Sequence, residues 1–206
     1  MHISWLGGTT IKLQTKPLDK DLTIIIDPYR YAAGTSPRNL GPDIALLTRG
    51  ENDAITLSGS PFILTTPGEC DIHGVLVTAV EGHEAGTTMI RIDTEQLSLA
   101  HLGAASKPLT DKQREVVGDV DILCIGVGGP ESGTYYHHEA INIINELEPR
   151  IVIPMAFQSD NNPDAKPIEK FLKEMGIADG KPEAKVIIKK KDLPDEETKV
   201  VVLSKE

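Results

Sequence analysis

The sequence predicts an α/β fold, in the α+β sense: two sheets with helices packed outside them. Three observations carry that prediction. Strand-like runs dominate the first half of the chain. Amphipathic helical patterns come only in the second half. Short, wholly apolar runs lie between those helices, as buried strands do.

The early strands are read from β-branched or alternating runs punctuated by Gly, Pro, Asp and Asn. They are His2–Leu6, Thr10–Leu13, Leu22–Ile26, Ile44–Leu47, Pro61–Leu64, Val75–Val80, Thr87–Ile92 and Leu97–His101. In TMIRID (88–93), Met89 and Arg91 share one face, and Ile90 and Ile92 alternate with them. A capping box, Thr110 to Gln113, opens a helix that Gly118 can end. Tyr136–Leu147 carries Ala140, Ile143, Ile144 and Leu147 at helical spacing, and Pro149 stops it. Lys166–Met175 carries Ile168, Phe171, Leu172 and Met175 on one stripe, with Gly176 after them. Ile122–Val127 and Ile151–Met155 read as buried strands, and Val186–Ile188 and Val200–Leu203 close the chain. No linker divides it, so residues 1–206 form one domain. Ser159–Lys166 is a polar, loop-sized piece, and Tyr29–Pro42 is a candidate functional or surface loop.

Composition narrows the function. The chain has 206 residues, enough for a proper core, with 39% hydrophobic and 25% charged residues. Aromatics are only 4%, so the core must be mostly Ile, Val and Leu. Net charge is −10, from 31 acidic against 21 basic residues, and such a surface repels nucleic acid. The Lys189–Lys191 run is better read as lysines guarding a sheet edge. No run approaches the roughly 18–20 apolar residues that span a bilayer. MHISWLGGTT lacks the basic start and apolar stretch of a signal peptide, and Cys70 and Cys124 are too few for a disulfide framework. A cytoplasmic protein without nucleic-acid or membrane partners is expected.

Several stretches, in order along the chain, then point to one family. They are ISWLGGTTIKL (3–13), TIIIDPY (23–29), IALLTRGENDA (44–54), FILTTPGECDIHGV (62–75), TTMIRID (87–93), LAHLGA (99–104), VDILCIGVGG (120–129) and EPRIVIPMAF (148–157). Together they resemble the metallo-β-lactamase-fold hydrolases, above all the short zinc-dependent-hydrolase-like branch. The resemblance implies an αββα four-layer sandwich with the active site at one edge of the two sheets. It also implies a two-metal centre built on Thr-His-x-His-x-Asp-His, whose metals make hydroxide by lowering the pKa of bound water to about 7.

This chain departs from that pattern. Laid on the motif, Thr48 and Asp53 match, but Arg49, Glu51 and Ala54 stand where the three histidines belong. The bridging Asp is Ala104, the late His is Ala156, and the N-terminal His is Gly8. His101 matches, beside the site and not as a usual ligand. Zinc wants at least three protein ligands, and a fixed cation at Arg49 repels a metal. The losses span four separate segments, as in a lineage that abandoned its metal.

Two readings of function follow. In the first, the chain is a degenerate, metal-free pseudoenzyme with no catalytic residue and no cofactor. It would bind a small ligand or a protein partner through the former metal-site pocket, at Arg49, Glu51, Asp53 and His101. There Arg49 could grip a carboxylate or phosphate through its fork of donors; alternatively Arg49, Glu51 and Asp53 merely pair on the surface. In the second, it is a metal-dependent hydrolase with a rebuilt, atypical zinc site drawn from Glu51, Asp53, His73, His83 and His101. The open sheet edges of such a sandwich also suit self-assembly into a homo-oligomer.

Other motifs carry less. GGPESGT (128–134) has the glycine spacing of a phosphate loop, but Thr134 stands where the lysine belongs. Cys124 sits in an apolar strand and reads as core. Strand alternation sets Cys70 and His73 on opposite faces, against a Cys–His pair. His137 and His138 read as an exposed, inert pair at a helix start, His2 and His83 have no motif around them, and Ser58 and Ser60 lack a nearby base.

Overall fold

The computed structural model describes residues 1–31, 33–34, 36–178 and 180–206. Ala32 and Thr35, inside the Tyr29–Pro42 stretch, therefore lie outside the described residues. Two mixed sheets face each other. The first contains β1 (His2–Gly7), β2 (Thr10–Thr15), β3 (Leu22–Ile26), β4 (Ile44–Leu46), β5 (Phe62–Leu64) and, late in the chain, β12 (Val186–Ile187). Its spatial order is β12-β1-β2-β3-β4-β5. The second contains β6 (Gly68–Ile72), β7 (Val75–Glu81), β8 (Thr88–Thr94), β9 (Leu97–His101), β10 (Ile122–Gly126), β11 (Ile151–Met155) and β13 (Lys199–Val200), in the order β13-β11-β10-β9-β8-β7-β6.

Hairpins build one half of each sheet and parallel strands the other. β1–β2–β3 are antiparallel, after which β3, β4 and β5 run parallel. In the second sheet β6 to β9 are antiparallel, and β9, β10, β11 and β13 run parallel. Parallel strands need crossovers, which is why the helices come late. α1 (Asp111–Val117) packs on β7 and β8, α2 (His137–Leu147) on β10, and α3 (Ile168–Glu174) on α2. The chain is thus an α/β sandwich, as the resemblance implied.

Local chemistry explains the elements. Thr110 caps α1 as read: its hydroxyl accepts from the Gln113 amide and Gln113 Oε1 accepts from the Thr110 amide at 2.9 Å. α2 buries Ala140, Ile143, Ile144 and Leu147, the predicted stripe. It ends one residue before Pro149, at Glu148 in the left-handed conformation. The core between the sheets is aliphatic, with Ile24, Leu46, Val77, Ile90, Leu99, Cys124 and Ile153 fully or almost fully buried. On the other face of the first sheet, Tyr29, Ala45 and Leu47 form a smaller cluster with Ala54 and Leu57.

Most boundaries move by a residue or two, and three elements differ more instructively from the sequence reading. β6 was not expected, because GECDI is too polar to read as a strand. It exists because it is an edge strand paired only with β7, where charged side chains are tolerated. The third helix is shorter than Lys166–Met175, since Pro167 occupies its N-cap. Val200–Leu203 leaves the ladder after Val200, although Val201, Val202 and Leu203 stay buried. Among the described residues no helix is long and apolar enough to cross a membrane.

Candidate functional site

Parallel strands of both sheets end at the same edge, and the backbone turns sharply there. Asp27 follows β3 with φ 55°, and Ala156 follows β11 with φ 58°. Left-handed backbone is costly for residues with a Cβ, and it recurs at functional sites, where the surrounding structure holds it. The turn Gly7–Thr10 between β1 and β2 reaches the same edge. Three hydrogen bonds join the sheets there. The Ala156 amide donates to the Gly8 carbonyl at 2.9 Å, and the Thr88 amide to the Thr48 carbonyl at 2.8 Å. His101 Nε2 lies 2.8 Å from the Thr9 carbonyl.

Beneath this edge lies a buried polar floor. Asp27 is fully buried, directly after an all-isoleucine run. Its carboxylate accepts from the Thr48 amide and the Thr48 hydroxyl, both at 2.8 Å. A buried charge is tolerated only with such partners. His101 is also fully buried. The Gly103 amide donates to its Nδ1 at 3.1 Å, so Nε2 carries the proton given to Thr9. Both ring nitrogens are used, and burial pushes its pKa below the ordinary 6.5, so the ring is neutral. Gly103 must be glycine: its φ is 58°, and a Cβ there would lie 2.7 Å from Thr48 Oγ1.

Above the floor is a cavity of about 240 Å³. Arg49, Ala104, Ala156 and Gly8 line it, so four positions that the resemblance assigns to metal ligands face one space. Tyr29 and Tyr31 form aromatic walls. The Arg49 guanidinium carbon stands 4.2 Å from the centre of the Tyr29 ring, a cation–π contact. The Tyr29 hydroxyl accepts from the Arg49 amide at 2.6 Å and donates to the Gly50 carbonyl at 3.1 Å. Tyr31's hydroxyl lies 2.7 Å from both the Gly7 carbonyl and Thr10 Oγ1. Burial pushes both phenols well above their ordinary pKa, so neither ionises near neutrality.

The structure separates the four expected site residues. Arg49 lines the cavity. His101 lies under it with its ring committed to Thr9 and Gly103. Glu51 and Asp53 sit on an exposed turn and are not part of the cavity wall. Among the described residues, no ion pair joins Arg49 to either of them. Asp53 contributes its backbone instead, its carbonyl accepting from the Arg30 amide at 2.9 Å. The motif residues share sequence spacing but not direction, because the turn carries Glu51 and Asp53 outward to solvent.

The other candidates stay apart. His73 is exposed on a turn at φ 55° and Cys70 is partly buried. Burial, with Asp71 and Glu69 nearby, raises the Cys70 thiol pKa, and burial alone raises that of Cys124; both thiols are held protonated. Ser58 donates its hydroxyl to the Leu40 carbonyl at 3.1 Å. His137 corrects the reading of an exposed pair: it is buried, and only His138 is exposed, stacked on Tyr136 with ring centres 5.9 Å apart. The helix start puts one ring against the fold and the next outward. Residues 130–132 form a short 3₁₀ turn before α2, and Ser132 reaches the cavity.

The donor set does not fit a metal pair. Alanine and glycine offer no ligand atom, and guanidinium is a permanent cation. Among the described residues, no group of three or more His, Cys, Asp or Glu side chains could hold a metal ion.

The comparisons agree with the geometry. The family model for the beta-lactamase superfamily domain matches residues 2–156. The chain belongs to the metallo-β-lactamase superfamily. Among solved structures it is similar to one from Thermotoga maritima described as a zinc-dependent hydrolase of this superfamily. That similarity has a TM-score of 0.81 and 24% identity, and covers 98% of each chain. It is also similar to Igni18, a metallo hydrolase from Ignicoccus hospitalis, with a TM-score of 0.66 and 13% identity, over 91% of this chain and 99% of the other. An isothiocyanate hydrolase from Delia radicum gut bacteria gives a TM-score of 0.63 and 12% identity, over 100% of this chain and 97% of the other. At these identities the likeness concerns the fold. A comparison with curated proteins found no match. The superfamily membership and the lost metal motif were legible in the sequence. Tyr29 and Tyr31 fall in the stretch Tyr29–Pro42 read as a candidate functional loop and Asn161 in the polar piece Ser159–Lys166, but no motif gave any of them a role; Asp27 left one signal, a charge directly after three isoleucines.

Proposed function

We propose that this superfamily member is a non-catalytic pseudoenzyme that works by binding a small ligand in the cavity of the former metal centre. One observation carries the reading: Arg49, Ala104 and Ala156, from three separate segments, face the same cavity of about 240 Å³. The pocket keeps its frame and has exchanged metal donors for a cation and two methyl groups. The zinc chemistry in the names of the structural relatives does not transfer, because the groups that would hold the metal are gone. A rebuilt zinc site finds no support in Glu51, Asp53 and His101, which do not converge.

Metal content tests the reading. The protein is purified without a metal-binding tag, dialysed against zinc, manganese and iron in turn, freed of loose metal and measured by mass spectrometry. Near-zero occupancy for all three is expected. One or two atoms retained per chain would overturn the reading and call for hydrolase assays.

A further inference from the structure

We infer that the cavity is a receptor for the oxyanion of a small molecule, a carboxylate or phosphate, with Arg49 as its anchor and Arg30 and Asn161 beside it. This rests on the ligand-binding reading above and names its ligand class.

Charge is the first argument. Arg30 and Arg49 both line the cavity, and neither takes part in an ion pair among the described residues. The one carboxylate in the wall, Glu131, is held by Lys166 Nζ at 2.8 Å. Even against the Asp27 carboxylate in the floor, the two guanidiniums leave the cavity a positive spot on a chain of net charge −10. Such a focus attracts anions over the surrounding surface.

Preorganisation is the second. Tyr29's ring supports the face of the Arg49 guanidinium at 4.2 Å, and the Tyr29 hydroxyl accepts from the Arg49 amide. Stacking a guanidinium leaves its N–H edge free, the edge that matches the two oxygens of a carboxylate or phosphate. Little conformational freedom is then lost on binding.

An orphaned donor is the third. Asn161 is 5% exposed and lines the cavity, and its amide nitrogen has no hydrogen-bond partner. Its amide oxygen accepts from Ser159 Oγ at 2.7 Å. The carboxamide lies against Gly7, where a Cβ would come within 2.2 Å of the nitrogen. Buried amides without partners are rare; this nitrogen exposes almost no surface of its own, so it reaches an acceptor in the cavity only by turning away from Gly7.

Size is the fourth. About 240 Å³ lies below the range of ordinary drug-sized pockets. It corresponds to about eight waters, hence to a ligand of about that many non-hydrogen atoms. Inorganic phosphate, acetate and benzoate sample this class.

The test is calorimetric titration of the whole chain with those three probes, and with benzamide as the uncharged counterpart of benzoate. At least one oxyanion is expected to bind and benzamide not to. Arg49→Ala should weaken binding at least about tenfold, and Arg49→Lys, which keeps charge without the fork, should fall between. Arg30→Ala should weaken it less: both arginines are exposed, but among the described residues only Arg49 has a stacked aromatic ring to hold it. No binding by any probe, or equal binding by Arg49→Ala, overturns the inference. Phosphate binding without acetate or benzoate binding assigns the phosphate source, and the reverse the carboxylate. Each titration is repeated after chelation. Binding that vanishes with chelator makes the anion a metal ligand and overturns both readings; absence of binding in a metal-free chain overturns this one alone.

Discussion

The floor and the rim of the site have had different fates. The floor is Asp27, Thr48, His101 and Gly103, buried and saturated with hydrogen bonds at 2.8–3.1 Å. The rim is Gly8, Arg49, Ala104 and Ala156, which hold none of the metal donors the superfamily pattern puts there. The floor residues bond to one another and to both sheets, so replacing any of them leaves a buried group unpaired. The rim residues face a cavity, so their chemistry could change while the fold stood. Under the proposed reading, the frame of the site is held by stability, and its rim chemistry only by function.

Mutation can break the comparison, beginning with the strongest effect. Asp27→Ala orphans the Thr48 amide and hydroxyl inside the fold and should lose about 3 kcal/mol or more in urea unfolding. A loss under about 1 kcal/mol would mean the floor is not the frame. His101→Leu strips the Thr9 carbonyl and Gly103 amide of their partner and should lose about 2 kcal/mol at neutral pH.

The same histidine sharpens the comparison through pH. Burial lowers its folded pKa below 6.5, so the unfolded chain binds the proton first as pH falls. Its contribution to stability is therefore complete above about 6.5 and is lost as pH drops from there through the folded value. Unfolding midpoints from pH 8 to 5 should fall in the parent and fall less in His101→Leu. Parallel curves would contradict the neutral buried ring.

Ala156→Gly tests the rim backbone. At φ 58° the alanine carries strain that glycine lacks, so the variant should gain about 1 kcal/mol. A loss would mean the methyl group packs usefully in the cavity wall. Smallest of all, Glu51→Ala and Asp53→Ala should leave the unfolding midpoint and the binding of any oxyanion unchanged, since both side chains are exposed and outside the cavity wall.

Much of the fold was legible because its signals are local. The Thr110–Gln113 capping box and the Ala140–Leu147 stripe act within a few residues of themselves. β6 was missed because an edge strand gains its order from β7, not from its own apolar pattern. At the site, the lost ligands could be read position by position, but the pairing of the remaining groups could not. Arg49, Glu51 and Asp53 looked like one cluster because they are close in sequence. A turn lays Arg49, itself exposed, over the Tyr29 ring and carries the two acids away from the cavity wall. His101, a ligand type by composition, is spent on Thr9 and Gly103, which sit in turns attached to different sheets.

By itself, then, the sequence determined the sandwich, the superfamily and the absence of the metal motif, since residue type and order suffice for each. The resemblance placed Gly8, Arg49, Ala104 and Ala156 at one former metal centre; the tertiary structure alone decided that the centre is still a cavity, that Arg30 and Asn161 join them, and that Asp27 supports the whole from below. Those residues come from strand ends and loops far apart in the chain, and what brings them together is the packing of two sheets face to face, which no local pattern encodes.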